Sequence, residues 1–130
     1  MLFESETFRE TIQVKKALAS HDSVFRYCIF EAASLQGGDF GDTFISCEFR
    51  DVEWYWGLFN LALFSNCKFE RCTFRGTTFS GCKFVESTFT DCHFVKDNLS
   101  ASCDAPDTIL YACIGQNCEG WNELFQNQVP

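Results

Sequence analysis

Nine cysteines and two histidines are the side chains of this 130-residue chain with the most chemistry to offer. Cys47, Cys67, Cys72, Cys82 and Cys92 are separated by multiples of five, and Cys28 belongs to the same small-residue series. A cluster of thiolates could hold a metal, but steps of five do not match the CxxC-type spacing of zinc sites. Buried free cysteine behaves as a small apolar residue, and that is the expected role here. Cys103, Cys113 and Cys118 lie beyond the regular run. Histidine supplies only His21 and His93. Ser20-His21-Asp22 has the letters of a catalytic triad, but a triad is assembled in space and not by adjacency. The sequence has no GxSxG, P-loop or HExxH. The expectation is no enzyme, no metal and no cofactor.

What positions the cysteines is a beat. From Phe44 to Leu99 every fifth residue is large and apolar: Phe44, Phe49, Trp54, Phe59, Phe64, Phe69, Phe74, Phe79, Phe84, Phe89, Phe94 and Leu99. Two residues before each anchor stands a mostly small one, from Asp42, Cys47 and Val52 through to Cys92 and Asp97. The beat begins earlier, at Phe25, Phe30, Leu35 and Phe40, and loses one residue between Phe40 and Phe44, among Gly37, Gly38 and Gly41. After Leu99 it blurs. Ile109 and Ile114 continue one register, and Cys103, Thr108, Cys113 and Cys118 another shifted by one. Both readings stay open.

Period five fits neither a helix nor a flat strand. It fits a solenoid in which the anchor and the residue two before it point inward while the other three turn a corner. The outward set from Lys68 to Val95 is almost wholly polar or glycine, as that requires. The pattern resembles the pentapeptide-repeat family over Ser23 to Leu99, and on toward Cys118. The resemblance implies an all-β fold, a right-handed quadrilateral parallel β-helix in which four units close one turn. Phe44, Phe64 and Phe84 would then form one column, Phe49, Phe69 and Phe89 a second, Trp54, Phe74 and Phe94 a third, and Phe59, Phe79 and Leu99 the fourth. The expected organisation is an N-terminal cap at 1–22, the β-helix at 23–119 and a tail or capping helix at 120–130. Glu10 to Ser20 reads as a short helix or an edge strand. Trp121, Leu124 and Phe125 have helical spacing and suit a cap or a dimerisation element.

The formal net charge is −8, which opposes direct binding to a phosphate backbone. The N-terminus lacks a basic, apolar leader, and no stretch has the ~18 apolar residues of a membrane span. A cytoplasmic protein with reduced thiols is expected. Some members of the resembled family bind bacterial type II topoisomerases as acidic, DNA-like rods. This chain departs from them in being short, in showing no evident loop insertion between coils, and in a nearly neutral middle: from Ser65 to Ser100 five basic residues face four acidic.

One stretch breaks the outward rule. Between Glu53 and Phe64 the outward positions hold Tyr55, Trp56, Leu58, Leu61 and Leu63. Exposed apolar clusters mark interfaces, and Trp and Tyr are favoured at their centres. Asp51 and Glu53 would border the cluster with acid. Three occupants stay open: a protein partner, a second copy of the chain, or internal cover by the N-terminal segment or the Trp121–Phe125 tail. The expected function is a protein-binding scaffold, such as an immunity or antitoxin-type inhibitor of a bacterial protein. The alternative is a DNA-mimic modulator of a type II topoisomerase.

Overall fold

In the computed structural model, which describes residues 1–125, the chain winds into a four-sided parallel β-solenoid of about five turns. Face 1 is six short strands in order: Leu2–Glu4, Val24–Arg26, Thr43–Ile45, Leu63–Ser65, Lys83–Val85 and Ile109–Tyr111. Faces 2 and 3 form one continuous sheet, because Ile29–Gln36 and Glu48–Tyr55 each bend around the corner between them. Face 2 begins with Thr7–Arg9 and ends with Lys68–Glu70, Thr88–Thr90 and Ile114–Gln116. Face 3 is completed by Thr73–Arg75 and His93–Val95. Face 4 is Asp39–Phe40, Leu58–Asn60 and Thr78–Ser80, closed by a bridge from Thr78 to Asp104.

The anchors stack as the period predicts. Ring centroids of Phe44, Phe64 and Phe84 follow at 4.8 and 4.7 Å, and those of Phe49, Phe69 and Phe89 at 4.7 and 4.4 Å. Trp54, Phe74 and Phe94 follow at 4.8 and 4.9 Å, with Phe59 and Phe79 at 5.0 Å. Rings of neighbouring columns meet edge to face across the axis, the arrangement their quadrupoles favour. The interior is filled.

The small inward residues satisfy the backbone that the aromatics cannot. Cys47, Cys67, Cys72, Cys82 and Cys92 each direct a thiol at the carbonyl of an anchor in the preceding coil, at 3.1 to 3.4 Å. Thr77 and Thr108 do the same with hydroxyls. Burial holds the Cys67, Cys72 and Cys82 thiols above the ordinary range, while hydrogen bonds from Cys67 and Cys72 lower their column neighbours Cys47 and Cys92. All nine cysteines are free.

Asp42 is the exception among the small residues. It is 1 % exposed; its Oδ1 accepts the Ser23 N–H at 2.9 Å, and its Oδ2 has no partner. Burial pushes its carboxyl above the ordinary value of 3.8. The fold therefore favours the protonated acid, and ionisation works against it. Stability from this site is greatest at low pH and is lost as pH rises from 3.8 through the folded-state value. Thr108, in the same column, accepts the Cys82 N–H and donates to the Phe79 carbonyl. Asp42→Thr should therefore raise stability at pH 7 by about 2 kcal/mol. Urea titration at pH 7 and at pH 4 checks it, the gain shrinking at the lower pH.

Coil lengths differ from the ideal in instructive places. Face 1 pairs Phe3 with Phe25, Phe44, Phe64, Phe84 and then Leu110, steps of 22, 19, 20, 20 and 26 residues. The step of 19 is the residue missing near Gly41, where a Cβ would stand 2.9 Å from the Asn60 carbonyl. The step of 26 is a six-residue insertion, which the sequence reading did not see. Leu99 is consequently not the fourth-column anchor: it is 78 % exposed, and buried Ala105 follows Phe79 instead. Asp97, expected inward, lies in the inserted loop. Six extra residues are one repeat plus one, so the chain resumes in the shifted register. Cys103, Thr108, Cys113 and Cys118 take the small positions, Leu110 is buried, and Ile109 and Ile114 face out.

Of the open alternatives at the ends, Glu10–Leu18 is a helix, α1, packed on Ile29–Gln36 through Val14, Ala17 and Leu18. Within 1–22, Leu2–Glu4 and Thr7–Arg9 already pair with the next coil, and Phe3 stacks on Phe25. At the other end Trp121–Phe125 is a short helix, α2. Gly115 stands where an anchor is due beside Phe89, and the Trp121 ring fills the space a side chain there would take. Phe125, 1 % exposed, closes over Phe79, Phe84 and Phe94. The rest of the expected tail, 126–130, lies outside the described residues.

Candidate interaction surface

The five apolar residues singled out in the sequence form a belt around one coil and not a single patch. Tyr55 lies on face 3, Trp56 on the corner after it, Leu58 on face 4, Leu61 on the next corner and Leu63 on face 1. Trp56 is 41 % exposed and Leu61 73 %; Tyr55, Leu58 and Leu63 are half-buried. Both corner residues hold left-handed backbone, φ +59° each. That conformation costs a non-glycine residue about 1 kcal/mol, and bulky apolar residues seldom adopt it.

Two glycines in the next coil make room for them. At Gly76 a Cβ would meet the Asp97 side chain at 2.9 Å, and at Gly81 it would meet Leu61 at 2.8 Å. With no side chain at 76, the Trp56 indole reaches across to the loop inserted after Phe94. Its Nε1–H donates to Asp97 Oδ2 at 2.7 Å, and the Asn98 N–H donates to the Tyr55 hydroxyl at 2.9 Å. Asp97 Oδ1 also accepts from the Ala101 and Leu99 N–H groups. The Ala101 N–H, with the Trp56 and Leu99 donors, holds the Asp97 carboxyl below the usual carboxylate range. The belt is thus tied at one end by this loop, which is none of the three occupants the sequence left open. Asp97→Ala should free both: the Trp56 indole N–H signal in a heteronuclear NMR spectrum should lose its exchange protection, with the coil signals unchanged.

The expected acidic border is already neutralised within the chain. Asp51 pairs with Arg71 at 2.9 Å and Glu53 with Arg75 at 3.5 Å. Arg9, Glu31, Arg50 and Glu48 form a further ion-pair run down face 2. His93 bonds Glu119 at 2.9 Å, and His21 stands exposed beside α1. Among the described residues no group of three or more His, Cys, Asp or Glu is placed to hold one metal ion. No helix among them is long and apolar enough to cross a membrane.

The linear reading missed face 1. Its outward side chains run in two registered rows: Leu2, Val24, Thr43, Leu63, Lys83, Ile109 beside Glu4, Arg26, Ile45, Ser65, Val85, Tyr111. Apolar residues predominate. Face 2 in the same places carries mainly charged and hydroxyl side chains, with only Ile29 and Ile114 apolar.

Comparison with known proteins bears on the fold. Residues 59–98 match the family model for pentapeptide repeats, nine copies. No curated protein matches the chain in sequence. Among solved structures it is similar to full-length QnrB1, a plasmid-mediated fluoroquinolone resistance protein, with a TM-score of 0.62 at 15 % identity over 87 % of this chain. It is also similar to a trypsin-treated form of that protein, with a TM-score of 0.57 at 13 % identity, covering 91 % of this chain and 69 % of that one. The chain spans 60 % of the length of full-length QnrB1. Residues 59–98 thus carry the pentapeptide repeat, and the same square coil continues on both sides of them.

Proposed function

We propose that this protein is a non-catalytic scaffold that binds another protein through the outer surface of its coil. The observation that carries the reading is the placement of Trp56 and Leu61: large, apolar and 41 and 73 % exposed, on corners where the next coil has only Gly76 and Gly81. Large apolar side chains left exposed on the outside of a coil mark an interface. The interior, filled by aromatic columns, offers no ligand site, so the surface is what remains to work with. Within this reading the chain is a cytoplasmic, immunity or antitoxin-type inhibitor of a bacterial protein, its thiols reduced.

The test is affinity capture from bacterial lysate, wild type beside a Trp56→Glu, Leu61→Glu variant with an unchanged circular dichroism spectrum. A protein retained by wild type alone supports the reading. Equal capture by both, or none by either, counts against it. Leu61→Asn adds a control for stability. Asn accepts left-handed backbone more readily, so this variant should melt no lower than wild type while losing affinity.

The second reading is a DNA-mimic modulator of a type II topoisomerase. The likeness in fold to a fluoroquinolone resistance protein and the charge of −8 favour it. Against it, Arg9, Arg50, Arg71 and Arg75 interrupt the acidic side chains of faces 2 and 3, unlike a row of phosphates. A supercoiling assay at micromolar protein decides: inhibition, or protection from a quinolone, supports mimicry, and no effect removes it.

A further inference from the structure

We infer that face 1 is a docking strip for one amphipathic α-helix of a partner protein, with basic residues flanking the helix's apolar stripe. The inference rests on the protein-binding reading above and assigns it a surface and a partner chemistry. Val24, Ile45, Leu63, Val85, Ile109 and Tyr111 climb the face in a zigzag, the first five alternating between its two rows from coil to coil. Ile109 and Tyr111 are 55 and 62 % exposed, and the other four are half-buried.

Size and charge choose the occupant. Six strands at ~4.8 Å and three residues at ~3.3 Å give a strip roughly 24 by 10 Å. Its plane, of order 240 Å², falls well short of the ~800 Å² per partner of a stable interface between globular proteins. It matches one helix, ~10 Å wide and about 16 residues long at 1.5 Å per residue. Two copies of this chain would also bring −8 against −8. The charged corners beside the strip are acidic, Asp22 and Asp107 on one side and Glu86 on the other; on the face Arg26 is paired with Glu4 at 3.1 Å, and Lys83 is the other basic residue. Acidic corners on both sides of an apolar seam, in a chain of net charge −8, favour a helix with lysine or arginine on either side of its apolar stripe.

The probe is a fluorescein-labelled 16-residue peptide of Leu, Ala and Lys. Its leucines stand at i, i+3, i+4 and i+7, and lysines flank them. A scrambled peptide of the same composition is the control. Fluorescence anisotropy at physiological salt should show the patterned peptide binding and the scrambled one failing. Leu63→Lys with Val85→Lys should weaken binding about tenfold or more. The fold tolerates charge in these rows, since Lys83 and Arg26 already occupy them. Thr88→Lys with Thr90→Lys makes the same charge change on face 2 and should alter binding less than about threefold.

Equal losses in the two variants, or equal binding of the scrambled peptide, would reduce the effect to net charge and overturn the inference. So would a wild-type dimer in sedimentation that the face 1 variant dissociates, which would give the face to a second copy. If a lysate partner is retained by the face 1 variant but lost by Trp56→Glu, Leu61→Glu, protein binding stands and face 1 falls.

Discussion

Phe69→Ala should lower the unfolding free energy by about 4 kcal/mol, as the deletion of a fully buried aromatic ring does. Phe69 is 1 % exposed and lies between Phe49 at 4.7 Å and Phe89 at 4.4 Å. It also meets the edges of Phe64 and Phe84 at 5.4 and 6.3 Å. The cavity cannot collapse, because its neighbours are pinned by the strand ladders above and below. In a solenoid each coil touches only its neighbours. A hole at mid-stack therefore weakens the coupling between halves as well as the total. Urea unfolding followed by circular dichroism should show a lower midpoint and a broader transition. An unchanged midpoint would mean that the columns do not carry the fold.

The second large effect belongs to the C-terminal cap. Trp121→Ala with Phe125→Ala should cost about 4 kcal/mol or more, since both rings close the column ends. It should also change the state of association. Without α2 the rings of Phe84, Phe89 and Phe94 and the edge of the last coil are open to solvent, and an open sheet edge pairs with another chain. Sedimentation at increasing concentration should show end-to-end oligomers in this variant and not in wild type. Gly115 offers an independent check. A side chain there competes with the Trp121 ring for one slot, so Gly115→Leu should reproduce the uncapping in milder form.

What the sequence revealed, and what it hid, follows from how each feature is encoded. The columns were legible because one residue class, large and aromatic, recurs at one spacing, and the coil leaves each anchor no other place to go. Leu99 was misread for the same reason. It keeps the beat by coincidence, in a loop whose hold on Asp97 and Trp56 depends on contacts 41 residues apart. The last coil was hard to register because its inward residues are weak signals. Ala105, Leu110 and Gly115 are small or ordinary, and the bulk missing at Gly115 is returned by Trp121.

The surface shows the same division. Reading along the chain found the belt from Tyr55 to Leu63, since those residues are neighbours in sequence. It could not find face 1, whose members are about 20 residues apart and become neighbours only when the coils stack in register. Leu63 is the one member of both. The acidic border at Asp51 and Glu53 was misjudged because Arg71 and Arg75 stand one coil away, a relation that composition does not express.

The most direct test of a protein-binding outer surface is site-specific photo-crosslinking in bacterial cells. Benzoylphenylalanine is placed at Leu63, where belt and strip meet, and separately at Thr90 on face 2. A discrete protein adduct from position 63 and none from position 90 is the expected result. Adducts of equal yield from both positions, or none from 63 beside an efficient adduct from 90, would contradict the account.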